Sequence, residues 1–526
     1  MFKCPPPLSS GLTLAALLLA ATLAAALRLP ELERRPMHSD EAVQAAKTGV
    51  LFDTHQYTYD PHELHGPTLY YFTLPSLWIA GVRSYAASSE FHYRIVPVVF
   101  GIASILLLLL VQDAMGKTAV VCAGVLIAVS PAMAFYSRYY IQEIPFVFFS
   151  FALIACGWRY FKTRALFWAI MTGFCVGLVH ATKETCVIVF FSIGASLTAN
   201  YFLLNKRSEA IFKINAIHAA LALLTAGAIS IIFFSSFFSH ARGPLDSVLT
   251  FAHYFTRSSG LNSHDKPWYY YAQLLLWNNK PGAPIWTEAA IVGLALIGAA
   301  SAFVHSNKNA DEDASNSFAR FLAIYTLVMF AIYSFISYKT PWCALGFLHG
   351  MILLAGIGAA TILKWMPHWS LKTLAALVLV SGVAHLGWQA VQANGRYAFD
   401  TRNPYVYVHS TLDAPRLAAR VEELAAFHPD GRKMSVQLMA PNSDYWPIPW
   451  YLRKMENVGY WNAPPARLDA PVLIASNEFA DELALDLKGS YQKNQYSLRP
   501  GVLVWLYVNE DLWKKFLATR QNGIRK

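Results

Sequence analysis

Charge is scarce in this chain. Only 14% of its 526 residues are Asp, Glu, Lys or Arg, against roughly 25% in ordinary soluble domains. So few charges cannot coat several soluble domains, and the 55% hydrophobic content points to a bilayer as solvent. The net charge of +10 is expected in cytoplasmic loops. No basic run interleaved with aromatics supports a nucleic-acid partner. Cysteine is also sparse: the six lie at 4, 122, 156, 175, 186 and 343, in or beside apolar segments, with none beyond Cys343. No CxxC occurs, which argues against a disulfide framework or a cysteine-built zinc site. P-loop, GxGxxG and HExxH patterns are missing, and so are internal repeats and low-complexity linkers. A nucleotide-driven mechanism is thereby disfavoured, and no Ser/His/Asp triad can be placed.

Long apolar runs dominate instead. They recur at 9–27, 94–112, 118–135, 144–161, 165–182, 186–204, 214–234, 286–304, 319–337, 343–363 and 372–392. Each is long enough, or nearly so, to cross the hydrocarbon core as a helix. The first also has the form of a signal peptide, but so many later runs favour an uncleaved first span. Lys117, Arg159/Lys162/Arg164, Lys206/Arg207/Lys213, Lys308/Arg320 and Lys364/Lys372 fall in alternate short loops, which assigns those loops to the cytoplasm. About eleven spans follow, with the N-terminus inside and the C-terminus outside. The expected class is a mainly α, polytopic protein of the plasma membrane. A transmembrane domain covers 1–392 and an extracytoplasmic α/β domain covers 393–526.

Two stretches need separate treatment. "PTLYYFTLPSLWIAGV" (67–82) is apolar but short and holds two prolines. It reads as an interfacial or re-entrant helix, with Tyr70, Tyr71 and Trp78 at headgroup level. "NADEDASNS" (309–317) reads as a loop. In the tail, 434–440, 471–477 and 501–508 read as buried strands, and 414–427 and 478–487 as amphipathic helices. The aromatic stretch "DYWPIPWYLR" (444–453) suits either core packing or a lid.

On this topology the unusual polar residues share one face. The first outer loop carries His38, Asp40, Glu41, Asp60, His62, Glu63 and His65. Later turns carry Arg138 and Glu143, then Lys183 and Glu184, then Tyr338, Lys339 and Trp342. Ionisable groups at membrane depth are costly and are functional candidates by default. A carboxylate can take a proton from an attacking hydroxyl, and Lys and Arg can hold a phosphate. Base and clamp together suit group transfer from a phosphate-bearing lipid. Plainer readings exist for each. Ser39 or Asp40 could merely cap the helix that follows; His62 and His65 could be turn residues beside Pro61 and Pro67; Arg138 and Lys183 could snorkel. His38, His62, Glu63 and His65 have metal-ligand chemistry without a metal-site spacing.

The same residues carry a family resemblance. "RRPMHSDEAVQAAKTG", "YDPHELHGPTLYYFTLPSLWIAG", "FYSRYYIQE", "ATKET", "YKTPW" and "WPIPWYLR" follow one another between residues 34 and 453. They resemble the C-type membrane glycosyltransferases, which include protein O-mannosyltransferases and the aminoarabinose transferase of lipid A. The nearer likeness is to a subgroup described as archaeal flippase-activity-associated membrane proteins. The resemblance implies a polyprenyl-phosphate sugar donor and a glycan, lipid or protein acceptor. It implies a catalytic acid at Asp40 or Glu41 and a second acid at Glu143, where Asp is the commoner residue in the family. Lys183, Lys339 and Arg138 would contact the donor phosphate, with His38, His62, Glu63, His65, Glu184, Tyr338 and Trp342 around the substrate. No cofactor is required, although a divalent metal has room in the scheme. The rival classes are a non-catalytic binder or translocator of lipid-linked glycans and an ion-coupled transporter. Acids near membrane ends, not the midplane, count against the last.

Overall fold

The computed structural model describes residues 10–62, 65–203, 215–258, 264–304, 310–487 and 491–524. Glu63, Cys4 and the loop cations Lys206, Arg207, Lys213 and Lys308 lie outside the described residues. By internal packing the chain divides into two units. One comprises Met1–Leu32, Gln56–Thr73 and Arg94–Tyr407; the other comprises Glu33–His55, Leu74–Tyr93 and Val408–Lys526.

The first unit is helical, and each apolar run has become a helix. Among the described residues eight helices are long and apolar enough to cross a membrane: Ser10–Arg28, Glu90–Met115, Glu143–Thr163, Cys186–Leu203, Ala216–Phe234, Ala314–Phe335, Pro341–Trp365 and Trp369–Asn394. Three shorter apolar helices, Lys117–Val129, Leu166–His180 and Ala289–Val304, occupy the remaining runs. With no hydrophobic drive between helices in lipid, close packing does the joining. Ala289–Val304 and Leu345–Trp365 touch backbone to backbone at two glycines. A Cβ at Gly298 would lie 2.0 Å from the Leu354 carbonyl oxygen, and one at Gly358 would lie 2.0 Å from that of Leu294. The buried Arg28 ends the first helix by donating to the Ala128 and Ile127 carbonyls, both at 2.8 Å. It thereby caps the C-terminus of Lys117–Val129, where a cation is favoured.

Two local expectations need revision. Residues 310–317 are not loop: they open the helix Ala310–Phe335. The 67–82 stretch contains a 12-residue helix, Thr68–Ile79, about 18 Å long and short of a span. Trp78 is exposed, as a headgroup residue would be. Tyr70 is instead fully buried, its ring 5.0 Å from that of Tyr57.

The second unit contains a five-stranded sheet in the order β2-β1-β3-β5-β4. The strands are β1 Val436–Met439, β2 Val458–Trp461, β3 Val472–Ser476, β4 Tyr491–Arg499 and β5 Val502–Asn509. β1 pairs in parallel with β2 and β3; β5 runs antiparallel to β3 and β4. β3 is buried on both faces, which explains its unbroken apolar sequence. Leu417, Val421 and Leu424 of the helix Asp413–Ala425 pack with Val436, Ile474 and Leu506. Leu483 joins Leu473 and Tyr507 in a second cluster. Within "DYWPIPWYLR", Ile448, Trp450 and Leu452 are fully buried. Trp450 donates its indole N–H to Glu90 at 2.9 Å. This stretch is therefore core over 448–452, while Tyr445 and Trp446 stay partly open.

Candidate active site

Two groups of the singled-out residues are assembled, one in each unit. In the second unit they surround the start of the helix Ser39–Thr54. The cap is His38, not Ser39 or Asp40. Its Nδ1 accepts from the Asp40 amide at 3.0 Å, and its own amide donates to Glu41 Oε2 at 3.1 Å. A histidine thus takes the serine's place in a capping box. Capping requires an unprotonated Nδ1. Burial pushes the His38 pKa down, outweighing the upward pull of Asp40 and Glu41, so the ring is neutral at pH 7. Glu41 is fully committed: it is wholly buried, and its Oε1 lies 3.3 Å from Arg35 Nη2. Asp40 contributes only its backbone to the cap, and its side chain is 49% exposed. The adjacent acids therefore differ in kind. One locks the turn and the other presents a carboxylate.

Distant residues hold this turn in place. The Met37 amide donates to the Tyr451 hydroxyl at 2.7 Å, and the Ser39 hydroxyl donates to the Trp446 carbonyl at 3.2 Å. Arg499 Nη1 reaches Ser39 Oγ at 3.2 Å, and the His409 ring meets that of His38 edge-on at 5.3 Å. Tyr451 belongs to the aromatic stretch 444–453 read from the sequence, whereas Arg499 and His409 stand hundreds of residues away and no local pattern marks them.

In the first unit the centre is an ion pair between Lys183 Nζ and Glu143 Oε1 at 2.5 Å, both buried. Glu143 opens the helix Glu143–Thr163, where a carboxylate is favoured by the helix dipole. Burial works against the Lys183 ammonium. Glu143, helped by Glu184 and others, outweighs that cost and holds its pKa well above the ordinary value. Glu184 lies 3.1 Å from His65. Burial would raise the Glu184 pKa, but His65 and Lys183 bring it below the usual value.

Backbone contacts explain why "HGPT" finds "ATKET". The Gly66 amide donates to the Thr182 carbonyl at 3.1 Å, and the Thr68 amide to that of Ala181 at 3.2 Å. Thr68 Oγ1 donates to Thr182 Oγ1 at 2.8 Å. A Cβ at Gly66 would stand 2.1 Å from the Ala181 oxygen, so this approach demands glycine. The His62 amide donates to Asp60 Oδ1 at 2.9 Å.

Arg138 is buried and donates from Nη2 to the Glu31 carbonyl at 3.0 Å. Its turn follows the short helix Pro131–Tyr136. Glu288, another residue missed in the sequence, pins that helix's N-terminus by accepting from Ser130 Oγ at 2.7 Å and the Ala132 amide at 2.9 Å. Trp342 lies against Tyr136 and Tyr139 at 6.2 and 6.0 Å between ring centroids. The "YKTPW" and "SRYY" turns are therefore neighbours. Cys343, next to Trp342, falls within electrostatic range of both Lys183 and Glu143. Lys339 is engaged differently. Its ammonium donates to the Lys266 carbonyl at 3.1 Å and to that of Ile336, joining the Tyr338–Asp265 bridge to the end of a membrane helix. Among the described residues no three His, Cys, Asp or Glu side chains are gathered as metal ligands.

Comparison with known proteins places this architecture. Residues 18–243 match the family model described as dolichyl-phosphate-mannose-protein mannosyltransferase. Over 96% of its length the chain superposes on 99% of ArnT from Cupriavidus metallidurans, solved bound to undecaprenyl phosphate, with a TM-score of 0.61 and 14% identity. It also covers 77% of the archaeal oligosaccharyltransferase AglB from Archaeoglobus fulgidus, solved with an inhibitory peptide and a dolichol-phosphate. That superposition uses 96% of this chain, with a TM-score of 0.59 and 12% identity. No curated protein matches in sequence. The fold is the C-type glycosyltransferase fold. The chain is a multi-pass membrane protein with that fold.

Proposed function

We propose that the protein transfers a sugar from a polyprenyl-phosphate carrier to an acceptor hydroxyl on the outer face of the plasma membrane. The observation that carries this reading is Lys183, a buried ammonium kept charged where membrane helices end, in a chain that shares its fold with proteins solved around polyprenyl phosphates. Asp40 is the base. The acceptor oxygen attacks the anomeric carbon and its proton passes to the Asp40 carboxylate. The bond from that carbon to the phosphate oxygen breaks, and its electron pair leaves with polyprenyl phosphate. Lys183 and Arg138 offset the growing phosphate charge. Glu143 keeps Lys183 in place, and Glu41 fixes the turn that presents Asp40. Lys339 supplies a further cation from its own loop. A single displacement inverts the anomeric centre.

Mass spectrometry of glycolipids and glycoproteins in a strain lacking the gene tests this reading. One glycosylated envelope species should disappear while its polyprenyl-phosphate sugar accumulates. An unchanged inventory of both classes would contradict it. So would a lipid-linked sugar that is merely mislocated, as a flippase-associated partner would produce.

A further inference from the structure

The second unit carries an aromatic and polar surface that the transfer chemistry does not use. β1 has parallel neighbours on both sides, so the chain leaves its C-terminal end at a point where successive connections diverge. Crevices at such points are where open α/β sheets commonly bind ligands. The segment after β1 carries Asp444, Tyr445 and Trp446, and β2 carries Tyr460 near its own C-terminal end. The Tyr445 and Tyr460 rings lie 5.5 Å apart at 40°, with the Trp446 ring 6.3 Å from Tyr445. Tyr460 is 38% exposed, a large apolar face left open to water.

Polar groups flank the rings. The exposed Asn462 accepts from the Ser443 amide at 2.8 Å and its hydroxyl at 3.3 Å through Oδ1. Its two N–H donors are not used in those bonds. Asp444 pairs with Arg499 through one oxygen, which leaves the other as an acceptor. Asn442 and Ser443 hold φ of +53° and +58°, a conformation that ordinary residues adopt at a cost and that gathers at functional sites. Arg499 also donates to the Trp446 carbonyl at 2.7 Å and to Ser39 Oγ. That ties the surface to the residue next to Asp40.

We propose that this surface is a platform for the acceptor and that the acceptor is a carbohydrate. Ring faces suit the C–H face of a pyranose. A carboxamide and a carboxylate–guanidinium pair suit its paired hydroxyls. The charges here neutralise one another, which does not favour a phosphate or an acidic peptide. The inference deepens the transferase reading by naming the class of its acceptor, and it rests on that reading.

The test uses the full chain in nanodiscs and saturation-transfer NMR. The probes are the methyl glycosides of glucose, mannose and N-acetylglucosamine, with a blocked Ser/Thr tetrapeptide alongside. At least one glycoside should receive saturation on its ring C–H protons. Tyr460→Ala should weaken its binding about ten-fold, and Asn462→Ala, a surface change, should weaken it in the same direction. Binding by the peptide alone, no glycoside binding, or equal binding by both platform variants would overturn the platform. Binding needs no transfer, so loss of the platform with transfer intact is distinguishable from failure of the transferase reading itself.

Discussion

Asp40→Asn is expected to lower sugar transfer by about 10²- to 10⁴-fold, the usual contribution of a positioned general base, with the unfolding midpoint unchanged. The separation follows from geometry. The cap of the Ser39–Thr54 helix uses the Asp40 amide, not its carboxylate. The side chain is half exposed, and the substitution preserves its shape. Glu41→Gln should behave in the opposite way. That carboxylate is buried, accepts the His38 amide and neutralises Arg35. Its loss leaves a buried guanidinium without its counter-charge and should cost stability first. The two variants are compared in purified membranes supplied with a lipid-linked sugar, with thermal unfolding measured on the same preparations. Full activity in Asp40→Asn would remove Asp40 from the mechanism.

Lys183→Met is expected to destabilise the membrane unit by about 3–5 kcal/mol, because it strands a buried carboxylate. The partner Glu143 is buried with it and lies 2.5 Å from its ammonium. Adding Glu143→Gln removes the stranded charge, so the double variant should recover most of the stability. Transfer should not recover, because the cation proposed to hold the donor phosphate is gone. Unfolding in detergent and transfer assays on the parent, both single variants and the double variant complete the cycle. A stable Lys183→Met protein, or an active double variant, would show that the pair is neither structural nor catalytic in the way described.

Much of the helical architecture was legible because apolar runs in a bilayer admit few alternatives. The two helices at Gly243–Ser258 and Tyr270–Leu276 were not, since they sit between spans and lack a run of spanning length. In the small domain β1, β3 and β5 announced themselves as buried apolar segments. β2 is a four-residue edge strand and β4 reads "YQKNQYSLR", exposed over 492–495, so neither shows a hydrophobic pattern. The site residues could be chosen by type and position, but not sorted by role. Nothing in "HSDE" says that the histidine is the cap and that the second acid is locked. That depends on Arg35, Tyr451 and Arg499 arriving from elsewhere. Likewise "HGPT" and "ATKET" are unremarkable alone. Their pairing rests on one glycine whose missing side chain lets two backbones meet.

The central claim is a single displacement at a lipid phosphate, and the product's stereochemistry tests it most directly. Purified protein is given a polyprenyl-phosphate sugar of known anomeric configuration together with an acceptor. Polyprenyl phosphate should appear in equal amount to the glycosylated product, and NMR of that product should show the opposite anomer. A product of retained configuration, or lipid-linked sugar that is bound but never cleaved, would contradict the account.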